Sequence, residues 1–125
     1  MKKISSNVER EIQSLIWEKG FACLRIAGSG SSRYPAADLI AKIKDLYIIE
    51  VKYTHKDYVY IKDEQLEQIE LLCKKFEAKP LIVIKFSRKG IYCTTNLRNK
   101  YTINDGDLVN FKEWLSAAPG FFTNQ

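Results

Sequence analysis

Apolar residues recur along this chain first at helical and then at strand spacing. Val8, Ile12, Leu15 and Ile16 share one helical face between Ser6 and Gly20, which predicts a helix over residues 6–19. Its first residues, Ser6-Asn7-Val8-Glu9, read as a capping box, with the serine and glutamate side chains satisfying otherwise unpaired backbone N–H groups. Short apolar runs at 21–26, 37–43 and 46–53 predict three strands, the last two as an antiparallel pair. Leu66, Ile69, Cys73 and Phe76 lie on one face of a second predicted helix over 63–76. Residues 80–86 are almost wholly apolar, as in a strand covered on both faces, and 91–94 pair with them as a hairpin across Lys89-Gly90. A third helix is predicted over 107–118. The order helix, three strands, helix, two strands, helix implies an α/β fold: a mixed central β-sheet of about five strands flanked by helices.

At 125 residues the chain reads as one domain, 1–125, with a core of its own. There is no repeat or low-complexity segment. The one Gly/Ser-rich stretch, 27–35, leads directly into Asp38. Pro119-Gly120 ends the regular pattern, and residues 117–125 form a tail whose Phe121 and Phe122 either dock on a partner subunit or stay loose.

No apolar run approaches the roughly 18 residues that span a bilayer, and Met1-Lys2-Lys3-Ile4-Ser5 lacks the apolar core of an export signal, so a soluble, cytoplasmic protein with no membrane partner is expected. Cys23, Cys73 and Cys93 are scattered, odd in number and without metal-ligand spacing; they are expected to act as small buried apolar residues in a reducing compartment. The net charge of +5 suits a polyanionic partner. It rises further if carboxylates are committed to a cation.

That commitment is where the chemistry begins. In an extended strand Leu46, Ile48, Glu50 and Lys52 share one face, and Tyr47, Ile49, Val51 and Tyr53 the other. A strand that is apolar on both sides has no reason to carry Glu50 and Lys52 unless their charges are paired or bound to metal. Asp38 and Glu50 are separated by eleven residues, so a hairpin with Lys44 at its apex sets them opposite each other on one face. Two carboxylates so placed favour a hard divalent cation such as Mg²⁺. Glu9 lies about 20° from Ile16 on the helical wheel, at the edge of the apolar arc, within reach of the same metal. Plainer readings stand beside these: Glu9 as the capping-box acid, Glu50 and Lys52 as an ion pair on an edge strand, Asp38 as a strand-entry residue.

An acidic helix residue, an Asp and then Glu-X-Lys on the following strand resemble the PD-(D/E)XK nuclease pattern. The surrounding sequence is more specific: Asn7-Val8-Glu9-Arg10-Glu11, Gly20-Phe21, Leu24-Arg25-Ile26, the Ser-rich loop, Asp38-Leu39-Ile40-Ala41, Ile49-Glu50-Val51-Lys52 and Pro80-Leu81-Ile82-Val83-Ile84-Lys85-Phe86. In this order and spacing they resemble the archaeal Holliday junction resolvases over about residues 7–115. The resemblance implies a restriction-endonuclease-like fold and catalytic positions at Glu9, Asp38, Glu50 and Lys52. It also matches Arg10 and Arg25 to basic DNA-contacting residues, and Ser29, Ser31 or Ser32 to an active-site loop serine. Phe76 matches an aromatic of the family's dimer and junction surface, whereas Leu72 stands where another is expected. Ala36-Ala37 replaces the motif's usual proline before Asp38.

The implied reaction is hydrolysis of two opposed strands of a four-way DNA junction by a homodimer in an archaeal cell, or in a virus replicating in one. Mg²⁺, with Mn²⁺ as substitute, is expected to be held by Asp38, Glu50, the Val51 carbonyl and Glu9, with Lys52 beside the attacking water. Lys2, Lys3, Arg10, Arg25, Arg33, Lys56, Lys62, Lys74 and Lys75 are candidates for phosphate contact, and Tyr53, Tyr58 and Tyr60 for stacking at the branch point. Two other readings remain: a nuclease of the same motif acting on plain or damaged duplex, and a non-catalytic basic DNA- or RNA-binding module. Gly28-Ser29-Gly30 lacks the lysine of a phosphate loop, and His55 reads as a surface histidine.

Overall fold

The computed structural model describes residues 2–26 and 33–118, with backbone alone at residues 2, 3 and 5. The elements run α1 (Lys2–Glu18), β1 (Ala22–Arg25), β2 (Leu39–Ile43), β3 (Asp45–Thr54), β4 (Tyr58–Tyr60), α2 (Asp63–Phe76), β5 (Lys79–Phe86), β6 (Gly90–Thr94), β7 (Lys100–Thr102), β8 (Val109–Asn110) and α3 (Phe111–Ser116). Six strands form one sheet in the order β1-β2-β3-β5-β6-β8, while β4 and β7 form a separate pair. Among the described residues β3 pairs with β5 in parallel and the other neighbours are antiparallel. The sheet is therefore mixed, as the order of the predicted elements implied. Among the described residues no helix is long and apolar enough to cross a membrane.

The sheet is buried on both faces, which is why β5 is apolar at consecutive positions: Leu81, Ile82, Val83 and Ile84 are all fully buried. On one face Val8, Ile12 and Ile16 of α1 and Phe111 and Leu115 of α3 pack on Leu39, Ile49, Leu81 and Val83. On the other, Ile69 of α2 joins Ile82, Ile84, Phe86, Ile61 and Tyr101 in a second core. Cys23 and Cys93 are buried in the first, and burial pushes both thiols up to about 12; Cys73 is half-buried and raised for the same reason.

Helix α1 begins at Lys2 rather than Ser6, since nothing in residues 2–5 breaks a helix. Ser6 is thus an interior residue, not a cap, and its hydroxyl accepts from Arg25 Nη2 at 3.0 Å. The predicted helix over 107–118 shortens to α3 because Asn110 is the cap, accepting from the Glu113 N–H at 3.0 Å, while Asp107 is spent on Arg98. The strands β4 and β7 lie outside the predicted elements, and β8 takes Val109 and Asn110 from within the predicted third helix. The β2–β3 hairpin turns at Lys44, φ 66°, with Ile43 paired to Asp45 and Leu39 to Ile49. This is the register that the spacing of Asp38 and Glu50 required.

Candidate active site

Asp38 sits where the β2–β3 ladder gives out. Its N–H donates to the Ile49 carbonyl at 3.2 Å and its own carbonyl accepts from Ile26 at 2.9 Å. The next donor along β3, the Val51 N–H, goes to the Asp38 carboxylate instead, at 2.8 Å to Oδ2. One oxygen of the side chain is thereby fixed to β3.

Strand β3 is interior to the sheet, so the reading of Glu50 and Lys52 as residues of an edge strand is set aside. Glu50 pairs with Ile82 and Lys52 with Ile84, placing both on the α2 side of the sheet. Glu50 is 8% exposed, and it and Thr94 are the buried polar side chains among the described residues. Burial, followed by the charge of Asp38, pushes the Glu50 carboxyl up to about 8, against the pull of Lys52. Asp38 is raised as well, by burial first, with the Val51 N–H acting in the opposite direction. Burial raises both carboxyls and the charge of Asp38 raises Glu50 further, the condition that a hard cation with oxygen ligands relieves. Lys52 Nζ stands 3.7 Å from Glu50 Oε2 and donates to Gln65 Oε1 of α2 at 3.2 Å. Gln65 was not singled out in the sequence; its one signal there is its position in the first turn of the helix after the Glu-X-Lys strand.

Glu9 belongs to the other layer. It projects from α1 and accepts from Arg25 Nε at 2.9 Å, while Arg25 Nη2 reaches Ser6. Its charge raises both Asp38 and Glu50, so it acts on the pair. Among the described residues, however, no three acidic, cysteine or histidine side chains converge closely enough to hold a metal by themselves. The donors that fit a cation here are Asp38 and Glu50, with Glu9 set back by its pairing to Arg25.

Val51 is half-buried, its side chain packed on the α1 core. Arg10, Lys56 and Lys62 are exposed, as are Lys74 and Lys75 at the end of α2. Arg33 is exposed with its guanidinium 5.2 Å from the Tyr34 ring centroid. Ser29, Ser31 and Ser32, and Phe121 and Phe122 of the tail, lie outside the described residues, and nothing is described of the side chains of Lys2 and Lys3. Tyr53, half-buried, packs against the α1 core and edge-on to the exposed His55.

The family model for the archaeal Holliday junction resolvase (Hjc) matches residues 1–117. The crossover junction endodeoxyribonuclease Hjc of Archaeoglobus fulgidus is 33% identical over 90 residues, covering 71% of this chain and 66%, just under two thirds, of that protein. The crossover junction endodeoxyribonuclease of Sulfolobus islandicus rod-shaped virus 1 is 34% identical over 113 residues, 87% of this chain and 92% of the viral one. The crystal structure of Archaeoglobus fulgidus Hjc, described as a Holliday junction resolvase from an archaeal hyperthermophile, superposes with a TM-score of 0.73 at 25% identity, covering 88% of this chain and 96% of that one. The mixed sheet, the hairpin that joins Asp38 to Glu50 and these matches lead to one assignment: this chain belongs to the archaeal Holliday junction resolvase family.

Proposed function

We propose that the chain is a structure-selective endonuclease that hydrolyses phosphodiesters in two opposed strands of a four-way DNA junction. The observation that carries the reading is the Asp38–Glu50 pair, half-buried and buried respectively, with Lys52 beside it, in a chain of this family. Asp38 and Glu50, with the Val51 carbonyl, are the residues to hold a divalent cation. Mg²⁺, or Mn²⁺ in its place, would supply Lewis acidity and an acidified water at the scissile phosphate. Asp38 is kept in place by the Val51 N–H, which fixes one oxygen and leaves the other for the cation. Lys52, steadied by Gln65, orients the attacking water and offsets the charge that grows on the phosphate oxygens as the new P–O bond forms and an ester P–O bond breaks. Glu9 accepts a hydrogen bond from water at the site, with Arg25 setting its orientation. A loop serine, Ser32 or one of its neighbours Ser29 and Ser31, and the cations Arg10, Arg25, Arg33, Lys56 and Lys62 complete the DNA contacts in this reading.

Two opposed cuts require two sites, and one chain supplies one, so the enzyme acts as a C2 homodimer. Leu71 and Phe76, 42% and 51% exposed on α2, offer apolar surface for the second copy. The expected setting is the cytoplasm of an archaeal cell or of one infected by a virus.

The test is Mg²⁺-dependent cleavage of an immobile four-way junction beside a linear duplex of the same sequence, with Asp38→Ala as control. Paired, symmetric nicks in the junction alone, lost in the variant while junction binding persists, are expected. Equal cutting of both substrates would discard the junction specificity and keep the nuclease, and binding without metal-dependent cleavage would make the protein a non-catalytic DNA-binding module.

A further inference from the structure

The β4–β7 pair has two unlike faces. Tyr58 pairs with Thr102, Val59 with Tyr101 and Tyr60 with Lys100. Alternation turns Val59 and Tyr101 inward, where Tyr101 is fully buried in the α2 core. It leaves Tyr58, Tyr60 and Lys100 together on the outside.

That outer face is an array of rings and cations. The Tyr58 and Tyr60 rings meet edge to face, 5.5 Å between centroids. Lys100 Nζ lies 5.1 Å from the Tyr58 centroid and 5.5 Å from that of Tyr60. Lys56 Nζ is 5.5 Å from the Tyr58 centroid and within 3.4 Å of its hydroxyl. Tyr60 remains 58% exposed. The nearby carboxylates are already engaged: Asp57 by Lys89, Asp63 by Asn99 and Asp105 by Arg98. Neither Lys56 nor Lys100 is ion-paired among the described residues, whereas Lys79, Lys85 and Lys89 each are. The face thus presents uncommitted positive charge and an open aromatic ring together.

We propose that this face is a platform for an unstacked base of the DNA substrate, with Tyr60 against the base and Lys56 and Lys100 on the flanking phosphates. Stacking on an aromatic ring needs a base out of its duplex stack, which a branch point offers and a continuous duplex does not. The placement suits this occupant. Strand β3 carries Glu50 and Lys52 to Thr54, whose hydroxyl donates to the Tyr58 carbonyl at 3.1 Å. At ~3.3 Å per strand residue the platform begins within about 15 Å of Lys52, a few nucleotides along a strand from the cut. The inference deepens the proposed function and rests on that reading.

The test is equilibrium binding of the full-length chain in EDTA, so that no cleavage enters, to a four-way junction carrying 2-aminopurine at the branch and to a linear duplex of the same sequence. Tyr60→Ala should weaken junction binding about tenfold and leave duplex binding unchanged, while Tyr60→Phe keeps the wild-type affinity and the quenching of 2-aminopurine. Lys56→Ala with Lys100→Ala should lower the salt dependence of junction affinity by about two phosphates' worth. Thermal melting of each variant identifies loss of fold, and the lysine pair decides if Tyr60→Ala unfolds. Unchanged junction affinity in Tyr60→Ala, equal losses on junction and duplex, or an unchanged salt slope would overturn the platform. Capture of an acidic protein in place of DNA would overturn it too. Failure of the wild type to cut junctions in Mg²⁺ would refute the resolvase reading on separate grounds, because none of these binding contrasts depends on cleavage.

Discussion

Replacing Glu50 by glutamine is expected to stabilise the metal-free protein at alkaline pH while ending cleavage. The carboxyl is raised from 4.5 to about 8 by burial and by Asp38. The folded chain therefore binds more protons than the unfolded chain between those values, and stability falls as pH rises through that window. At 1.36 kcal/mol per pH unit the loss from this one group approaches about 5 kcal/mol, a large part of the stability of a domain this size. Asp38 is raised by burial too and works in the same direction. Glutamine keeps the shape and removes the titration, at the cost of the 3.7 Å contact with Lys52.

Urea unfolding of the wild type and Glu50→Gln at pH 5, 7 and 9, each in EDTA and in Mg²⁺, reads the difference directly. Titrating groups other than Asp38, which is coupled to Glu50, cancel between the two proteins. In EDTA the two should be of similar stability at pH 5, and the variant should be more stable by several kcal/mol at pH 9. Mg²⁺ should raise the wild type at pH 9 and leave the variant nearly unchanged, since a ligand stabilises only the state that binds it. Parallel pH profiles in EDTA would refute the reasoning, because they would mean that Glu50 is not held neutral by its surroundings.

Gln65→Ala should lower kcat roughly tenfold with junction affinity unchanged, about the value of one hydrogen bond holding Lys52, as single-turnover cleavage would show. Arg98→Ala should destabilise the fold by roughly 2 kcal/mol after allowance for solvent exposure, since Arg98 bonds both Asp105 and Asp107 and covers the Tyr101 ring at 4.4 Å. Arg98 first holds Asp107 well below its usual value of 3.8, and the Thr102 N–H with Arg98 lowers Asp105 likewise; that stability is present above about pH 4 and lost in acid, so the variant's acid-unfolding profile should be flatter. Phe111→Ala should cost about 3–5 kcal/mol in urea unfolding, because Phe111 is fully buried between α3 and the sheet.

The hairpin was legible because strand side chains alternate strictly and both β2 and β3 have a buried face, so only one register satisfies the apolar residues and also brings Asp38 to Glu50. The elements that escaped have no such local evidence. Tyr58-Val59-Tyr60 offers a single alternation, and its partner lies beyond α2, β5 and β6, at Lys100–Thr102. Asp107 looked like a helix start, yet Arg98 claims it and Asn110 takes the capping role. Glu9 gained its partner, Arg25, across sixteen positions and a change of element, which no periodicity records.

The site also shows what a one-dimensional pattern cannot order. Helical spacing put Glu9 at the edge of the apolar arc, and strand alternation put Glu50 and Lys52 on one face, but neither says which layer each helix covers. In the fold α1 packs on the face of Ile49, and α2 on the opposite face with Glu50 and Lys52. Charges from the two layers act on one another near Asp38, where β2 ends and a side-chain carboxylate takes up the Val51 N–H. Extending β2 by a residue in regular pairing would return that N–H to the backbone and release Asp38 from β3. The early end of the strand is therefore what lets a buried sheet carry an acidic centre at its margin.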